Sequence, residues 1–183
     1  MKKLIVVTVV LLLFLAGCSS SGSAAAKLGL AQITSIASSA DLATKDDGTV
    51  VGKAQADTVM CAVMVDAAGK VIDIKIDTAQ TAINFDDKGV ITSDKTAEYK
   101  SKVEKGADYG MIKASKIGKE WYEQIAAVEK WMIGKTSEQI LAMKVKDVEG
   151  ANVSAEPDLV SSATIKIDGY LAVAAKAIAD AQK

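Results

Sequence analysis

The stretch D-T-V-M-C-A-V-M-V-D-A-A-G-K-V-I-D-I-K-I-D, residues 57–77, decides the fold of this chain. Apolar, largely β-branched residues fill two runs, Asp57 to Val65 and Lys70 to Asp77. In the second run Val71, Ile72, Ile74 and Ile76 are set against Asp73, Lys75 and Asp77 in near alternation. Period-two alternation of this kind marks a strand with one dry face and one wet face. Between the runs stands Asp66-Ala67-Ala68-Gly69, whose glycine supplies the positive φ that a short turn requires. The pair reads as a β-hairpin.

The same texture extends over Thr49 to Asp94, where Thr81 to Phe85 and Val90 to Thr92 suggest a second hairpin turning at Asp86-Asp87-Lys88-Gly89. After Asp94 the period becomes helical. Thr96 to Lys105 is a charged helix broken at Gly106, and Lys119 to Ile133 places Trp121, Ile125, Val128 and Met132 on one stripe, ending at Gly134. Thr136 with Gln139 three residues on is a capping box. Gly150 to Pro157 reads as a loop, and Leu171 to Ala181 as a terminal helix with Leu171, Ala174, Ala175 and Ile178 inward. Upstream, Lys27 to Ala43 is small and apolar with Ser and Thr interspersed, and reads as a helix packed on the domain. The economical assembly is α+β: an antiparallel sheet built from hairpins, with helices on one face.

The chain starts with Lys2-Lys3, an apolar run from Leu4 to Leu15, and Leu15-Ala16-Gly17-Cys18. A charged start, an apolar run too short to span a bilayer and a small-residue cleavage site make a secretory signal. The Leu-Ala-Gly-Cys order resembles a bacterial lipobox, which implies cleavage before Cys18 and a diacylglycerol on its thiol. The expected organisation is a signal peptide at 1–17, a lipid anchor and tether at 18–40, and a single domain at 41–183. Within the tether, Ser19 to Ala26 is almost wholly Ser, Gly and Ala, a flexible composition. The expected location is extracytoplasmic, held at the membrane by the lipid. With Cys18 lipidated, Cys61 is the one thiol left, so no intramolecular disulfide forms, and a small buried hydrophobe is its natural role.

Composition excludes much. The formal charge of −1 becomes −3 once Lys2 and Lys3 leave with the signal, and a mildly acidic surface argues against nucleic acid as a partner. Loss of residues 1–17 leaves 166 of 183 residues, ordinary for one domain with a real core. There is no histidine, so His-based triads and the usual zinc sites are ruled out. All 22 basic residues are lysine, so no guanidinium fork is available for a phosphate. No serine is followed three positions later by lysine, which removes the remaining common hydrolytic device. These absences favour a carrier or binding protein over a catalyst.

One segment speaks to function: Asp158-Leu159-Val160-Ser161-Ser162-Ala163-Thr164. It resembles the flavinylation motif of the FMN-binding domain family, which runs Asp, two variable residues, Ser or Thr, Gly or another small residue, then Ala-Thr. Downstream, Gly169, Ala172 or Val173, Lys176-Ala177 and Ile178 fall where that family continues into a helix of alternating small and aliphatic residues. The resemblance implies that a separate FMN transferase, using FAD as donor, esterifies FMN to the Thr164 hydroxyl. Small residues at Ser161, Ser162 and Ala163 would let the loop thread into that enzyme, Pro157 sets φ before it, and Asp158 would hold an Asx-type turn. A phosphate held by an ester needs no arginine clamp. The chain departs from the pattern at Ser162, usually Gly, and at Lys166 and Ile167, where the family prefers hydroxyl residues. Ile165 to Asp168 also reads as a short strand, with Asp168 as a replacement helix cap.

A second segment, Tyr109-Gly110-Met111 through Gly118-Lys119-Glu120-Trp121-Tyr122-Glu123-Gln124, gathers two of the four tyrosines and one of the two tryptophans. Trp121, Tyr122 or Tyr109 would stack on an isoalloxazine or another planar ligand. Alternatively Trp121 and Trp131 anchor a helix to the sheet, the reading that the apolar stripe favours. The functional expectation is a membrane-anchored flavoprotein that carries FMN on Thr164 and takes electrons from a membrane donor. The alternative is a non-catalytic ligand-binding or structural lipoprotein with a flavin-free version of the same fold.

Overall fold

A computed structural model describes residues 25–183. The expected signal peptide, Cys18 and the expected tether as far as residue 24 lie outside the described residues. The hairpin of residues 57–77 is present and longer than the alternation indicates. Strand β3 runs Val50–Val65 and β4 runs Val71–Phe85, paired antiparallel from Gly52↔Phe85 to Val65↔Val71 with one bulge beside Met64. The Asp66 carboxylate closes the turn by accepting from the Ala68 and Lys70 amides, both at 2.9 Å. Asp86 closes the next turn in the same way, accepting from Lys88 and Val90 at 2.9 and 2.8 Å. Beyond it the return is only a bridge, Phe85↔Ile91, so Thr81–Phe85 is the end of β4 rather than half of a separate hairpin.

Two corrections follow from the strands. Residues 27–43 are not a helix. They form β1 (Lys27–Ser35) and most of β2 (Ala40–Thr44), both antiparallel to β3, so the sheet takes in residues that composition assigned to the tether. Gly29, Ala31 and Ile33 lie on the inner face, while Leu28 and Leu30 lie on the outer face and are exposed. Apolar residues on both faces erase the alternation by which a strand is recognised. Second, the loop expected at 150–157 contains a strand. β5 (Val145–Val148) and β6 (Ala151–Ser154) form a hairpin turning at Glu149 and Gly150, both at positive φ.

The helices bring the core together. Only Lys102–Lys105 (α1) of the expected Thr96–Lys105 helix is helical, capped by Ser101 and Glu104 in a reciprocal pair. Helix α2 (Trp121–Met132) buries Trp121, Ile125, Val128 and Met132, as its stripe requires, and α3 (Ser137–Leu141) starts at the Thr136–Gln139 capping box. Helix α4 (Asp168–Ala181) lies across β1 and β3, so close that a Cβ on Gly29 would stand 2.0 Å from the Ala177 carbonyl oxygen. Of its expected inward residues Leu171, Ala174 and Ile178 are buried; Ala175 is half-buried, and Val173 and Ala177 complete the face. Ile167 occupies the N-cap of α4 without a side-chain bond, and Asp168 accepts from Asn152 at 3.0 Å instead of capping. The fold is α+β, with antiparallel sheets and helices around one core formed by Cys61, Val63, Ile74 and Ile76 from the sheet and α2 and α4 from outside. The free edge of β4 is covered where the Ile76 amide donates to Glu129 at 2.7 Å and Val71 pairs with Gly134 and Lys135.

Candidate functional site

Thr164 lies in an extended segment laid beside β6. Lys166 bridges Val153, and the Ile167 amide donates to the Asn152 carbonyl at 2.9 Å. The period of two buries Ala163, Ile165 and Ile167 and leaves Thr164 and Lys166 on the other side. Upstream, Pro157 to Ser162 form two consecutive turns. The Leu159 and Val160 amides donate to Glu156, those of Ser162 and Ala163 donate to Leu159, and the buried Leu159 side chain anchors them. The Asp158 carboxylate has no hydrogen-bond partner among the described residues, so the turn is held by backbone and Leu159 rather than by an Asx bond.

Two clefts meet at Thr164. The first, about 360 Å³, is lined by Lys102, Met111, Ser115, Trp121, Gln124 and Tyr170, with Thr164 and Lys166 on its rim. The second, about 410 Å³, is lined by Lys116, Lys146, Val148, Glu149 and Val153 and shares Ala114, Thr164 and Lys166 with the first. Both fall within the range of roughly 300–1,000 Å³ common for small-molecule sites. The Lys102 ammonium stands 4.8 Å from the Tyr109 ring centre and 5.3 Å from that of Trp121, a cation held over aromatic faces. The wall carrying Met111 and Ser115 is held by Glu120, which is buried and accepts from the Met111 and Ile112 amides at 2.8 and 3.1 Å.

Gln124 binds this wall to Thr164. Its side chain is fully buried, and its Oε1 accepts from the Thr164 amide at 2.8 Å and the Thr164 hydroxyl at 3.3 Å. Its Nε2 donates to the Lys119 carbonyl at 3.0 Å and to Ser115 Oγ at 3.2 Å. The sequence carries a trace of this arrangement: Gln124 is a polar residue within the apolar stripe of α2, a place where an amide must find internal partners.

The other expected site residues separate. Trp121 is 1 % exposed; its indole N–H donates to the Tyr170 hydroxyl at 3.0 Å, and the two rings meet edge to face at 6.0 Å. It anchors α2 to α4 and contributes a buried side chain to the lining of the first cleft. Tyr122 does not join Thr164. It lines a separate apolar groove of about 550 Å³ with Leu30, Met60, Val103 and Ile125. Asp158 and Ser162 border another hollow, beside Trp131 and Lys135, while Ser161 is exposed and Ala163 buried. Lys102, Lys116, Lys146, Lys166, Tyr170 and Gln124 are the neighbours of Thr164 to which sequence reasoning gave no role. Among the described residues no helix is long and apolar enough to cross a membrane. Comparisons with protein-family models, with curated proteins and with solved structures found no match to this chain.

Proposed function

We propose that this protein is an extracytoplasmic, lipid-anchored flavoprotein that carries FMN esterified to Thr164 and passes electrons from a membrane donor to an acceptor. One observation carries the reading: Thr164 lies where a cleft bordered by Trp121 and Tyr170 meets a lysine-lined cleft. The residues present fit the group. A phosphodiester needs a hydroxyl to join and positive charge around it, and Thr164 has Lys166 on its own segment and Lys116 and Lys146 across the second cleft. Lysine acts there as a point charge, which suffices for a phosphate already fixed by a covalent bond. Met111, Trp121, Tyr170 and Lys102 would border the ring in the first cleft. When bound, FMN supplies reversible electron transfer through its isoalloxazine. The chain's own part is to fix the point of attachment, surround the phosphate with cations and leave the clefts accessible to redox partners.

Protein made in a host that secretes it and contains an FMN transferase should be yellow and fluoresce under ultraviolet light after denaturing electrophoresis. It should also gain the mass of one FMN less one water. Thr164→Val should lose all three properties while keeping its fold, because the backbone bond from residue 164 to Gln124 survives the change. Wild-type protein that shows none of them ends the flavin reading. The apolar groove beside Tyr122 favours a second reading, a binding lipoprotein for a small apolar ligand with no flavin.

A further inference from the structure

We infer that Gln124 is the positioning residue for Thr164, holding its hydroxyl so that an oxygen lone pair points into the cleft for attack on phosphorus. This rests on the flavin reading and assigns the residue that prepares the attachment point.

The amide orientation of Gln124 is not free. The Lys119 carbonyl can only accept, so it must face the –NH₂ group; the Thr164 amide can only donate, so it must face Oε1. With Oε1 placed in this way, the 3.3 Å contact from Thr164 Oγ1 has one chemical sense. The hydroxyl donates its proton to Gln124, and both lone pairs of Oγ1 are turned away from the helix. The bond at 2.8 Å from the Thr164 amide fixes the backbone of the same residue, so Gln124 holds the nucleophile at two points. The burial of Gln124 and the tie of Ser115 Oγ to its Nε2 make the holder itself rigid. A nucleophile held near its attack geometry requires less ordering at the transition state.

Thr164 Oγ1 forms a bond to the flavin-side phosphorus of the dinucleotide donor, FAD. The phosphoanhydride bond breaks, AMP leaves, and the hydroxyl proton is released. A carboxamide oxygen is far too weak a base to retain that proton, so Gln124 only orients: as the oxygen–phosphorus bond forms, the O–H turns off Oε1 and its proton passes to a base on the transferase. In the product the ester oxygen has no proton to give, and the Thr164 amide alone remains bonded to Oε1.

The test uses the full chain, secreted together with its transferase, with flavin incorporation followed by absorbance and intact mass. Gln124→Leu removes both bonds to Thr164 and should slow incorporation by about tenfold or more through kcat, with KM for the acceptor protein little changed. Val128→Ala, a core change in the same helix, controls for lost stability and should leave the rate unchanged. If wild type is flavinylated and Gln124→Leu matches it within about twofold, the inference falls and the flavin reading stands. The inference falls equally if Val128→Ala slows incorporation as much as Gln124→Leu. Should Gln124→Leu fail to fold, Gln124→Met decides, being unbranched and of similar length but without an acceptor for the Thr164 hydroxyl: a well-folded Met variant that incorporates flavin at the wild-type rate overturns the role. Wild type without flavin overturns the underlying reading instead.

Discussion

Cys61 illustrates how a single residue takes its chemistry from its neighbours. It is 1 % exposed, on the inner face of β3, and burial followed by the nearby Glu129 carboxylate pushes its thiol up to about 12 from 9.0. The sign of the effect follows from linkage. Below the unfolded value the thiol is neutral in both states and contributes nothing to pH dependence. Above it the unfolded chain ionises freely while the folded chain does not, so stability is lost as pH rises toward about 12. We expect unfolding free energy above about pH 9 to fall more steeply in wild type than in Cys61→Ala, by up to about 1.4 kcal/mol per pH unit, as urea titrations would show. Equal slopes would contradict the burial of this thiol. Gly29 makes the complementary point: its role is the space it leaves for α4, which composition does not reveal.

At the scale of elements, the clearest signals were those with one dry face and strong punctuation. The 57–77 hairpin, α2 and the Thr136 cap met both conditions. β1 failed the first, because Leu28 and Leu30 on its outer face answer Gly29, Ala31 and Ile33 on its inner face. The β5–β6 hairpin failed the second. Its two-residue turn places Glu149 at φ 55 and Gly150 at φ 79, and glutamate is not a residue that announces such a turn. An asparagine tolerates that backbone better, so Glu149→Asn should stabilise the protein by about 0.3–1 kcal/mol in chemical denaturation. The exposed 3.7 Å ion pair of Glu149 with Lys116 that it removes is worth little. A loss of stability would mean that the charge matters more than the turn.

For the whole molecule, the described domain begins with β1, which starts nine residues after Cys18. A taut chain of that length reaches about 30 Å, so a lipid on Cys18 would keep the sheet close to a bilayer. Protein recovered from membranes should yield an N-terminal peptide that starts at Cys18 and carries diacylglycerol, as read by mass spectrometry of its proteolytic fragments. A peptide starting elsewhere with a free thiol would dismiss the anchor. From Val50 to Met60 only Gly52 is buried and only Ala54 is exposed, the rest being half-buried, so this part of the sheet is a partly covered ribbon that leads out of the core.

From sequence alone came the antiparallel sheet, the turns closed by Asp66 and Asp86, and the stripe of α2. These rest on interactions between residues close in the chain, which local periodicity and turn chemistry encode. Tertiary structure alone decided that Gln124, forty positions away, grips Thr164, that Trp121 is anchored to Tyr170, and that Tyr122 faces a different groove. It also recruited Lys116, Lys146 and Lys166 to one cleft, though each reads separately as an ordinary solvated lysine. Such pairings depend on which helix face meets which strand. That choice is made by packing the whole core, and no window of neighbouring residues contains it.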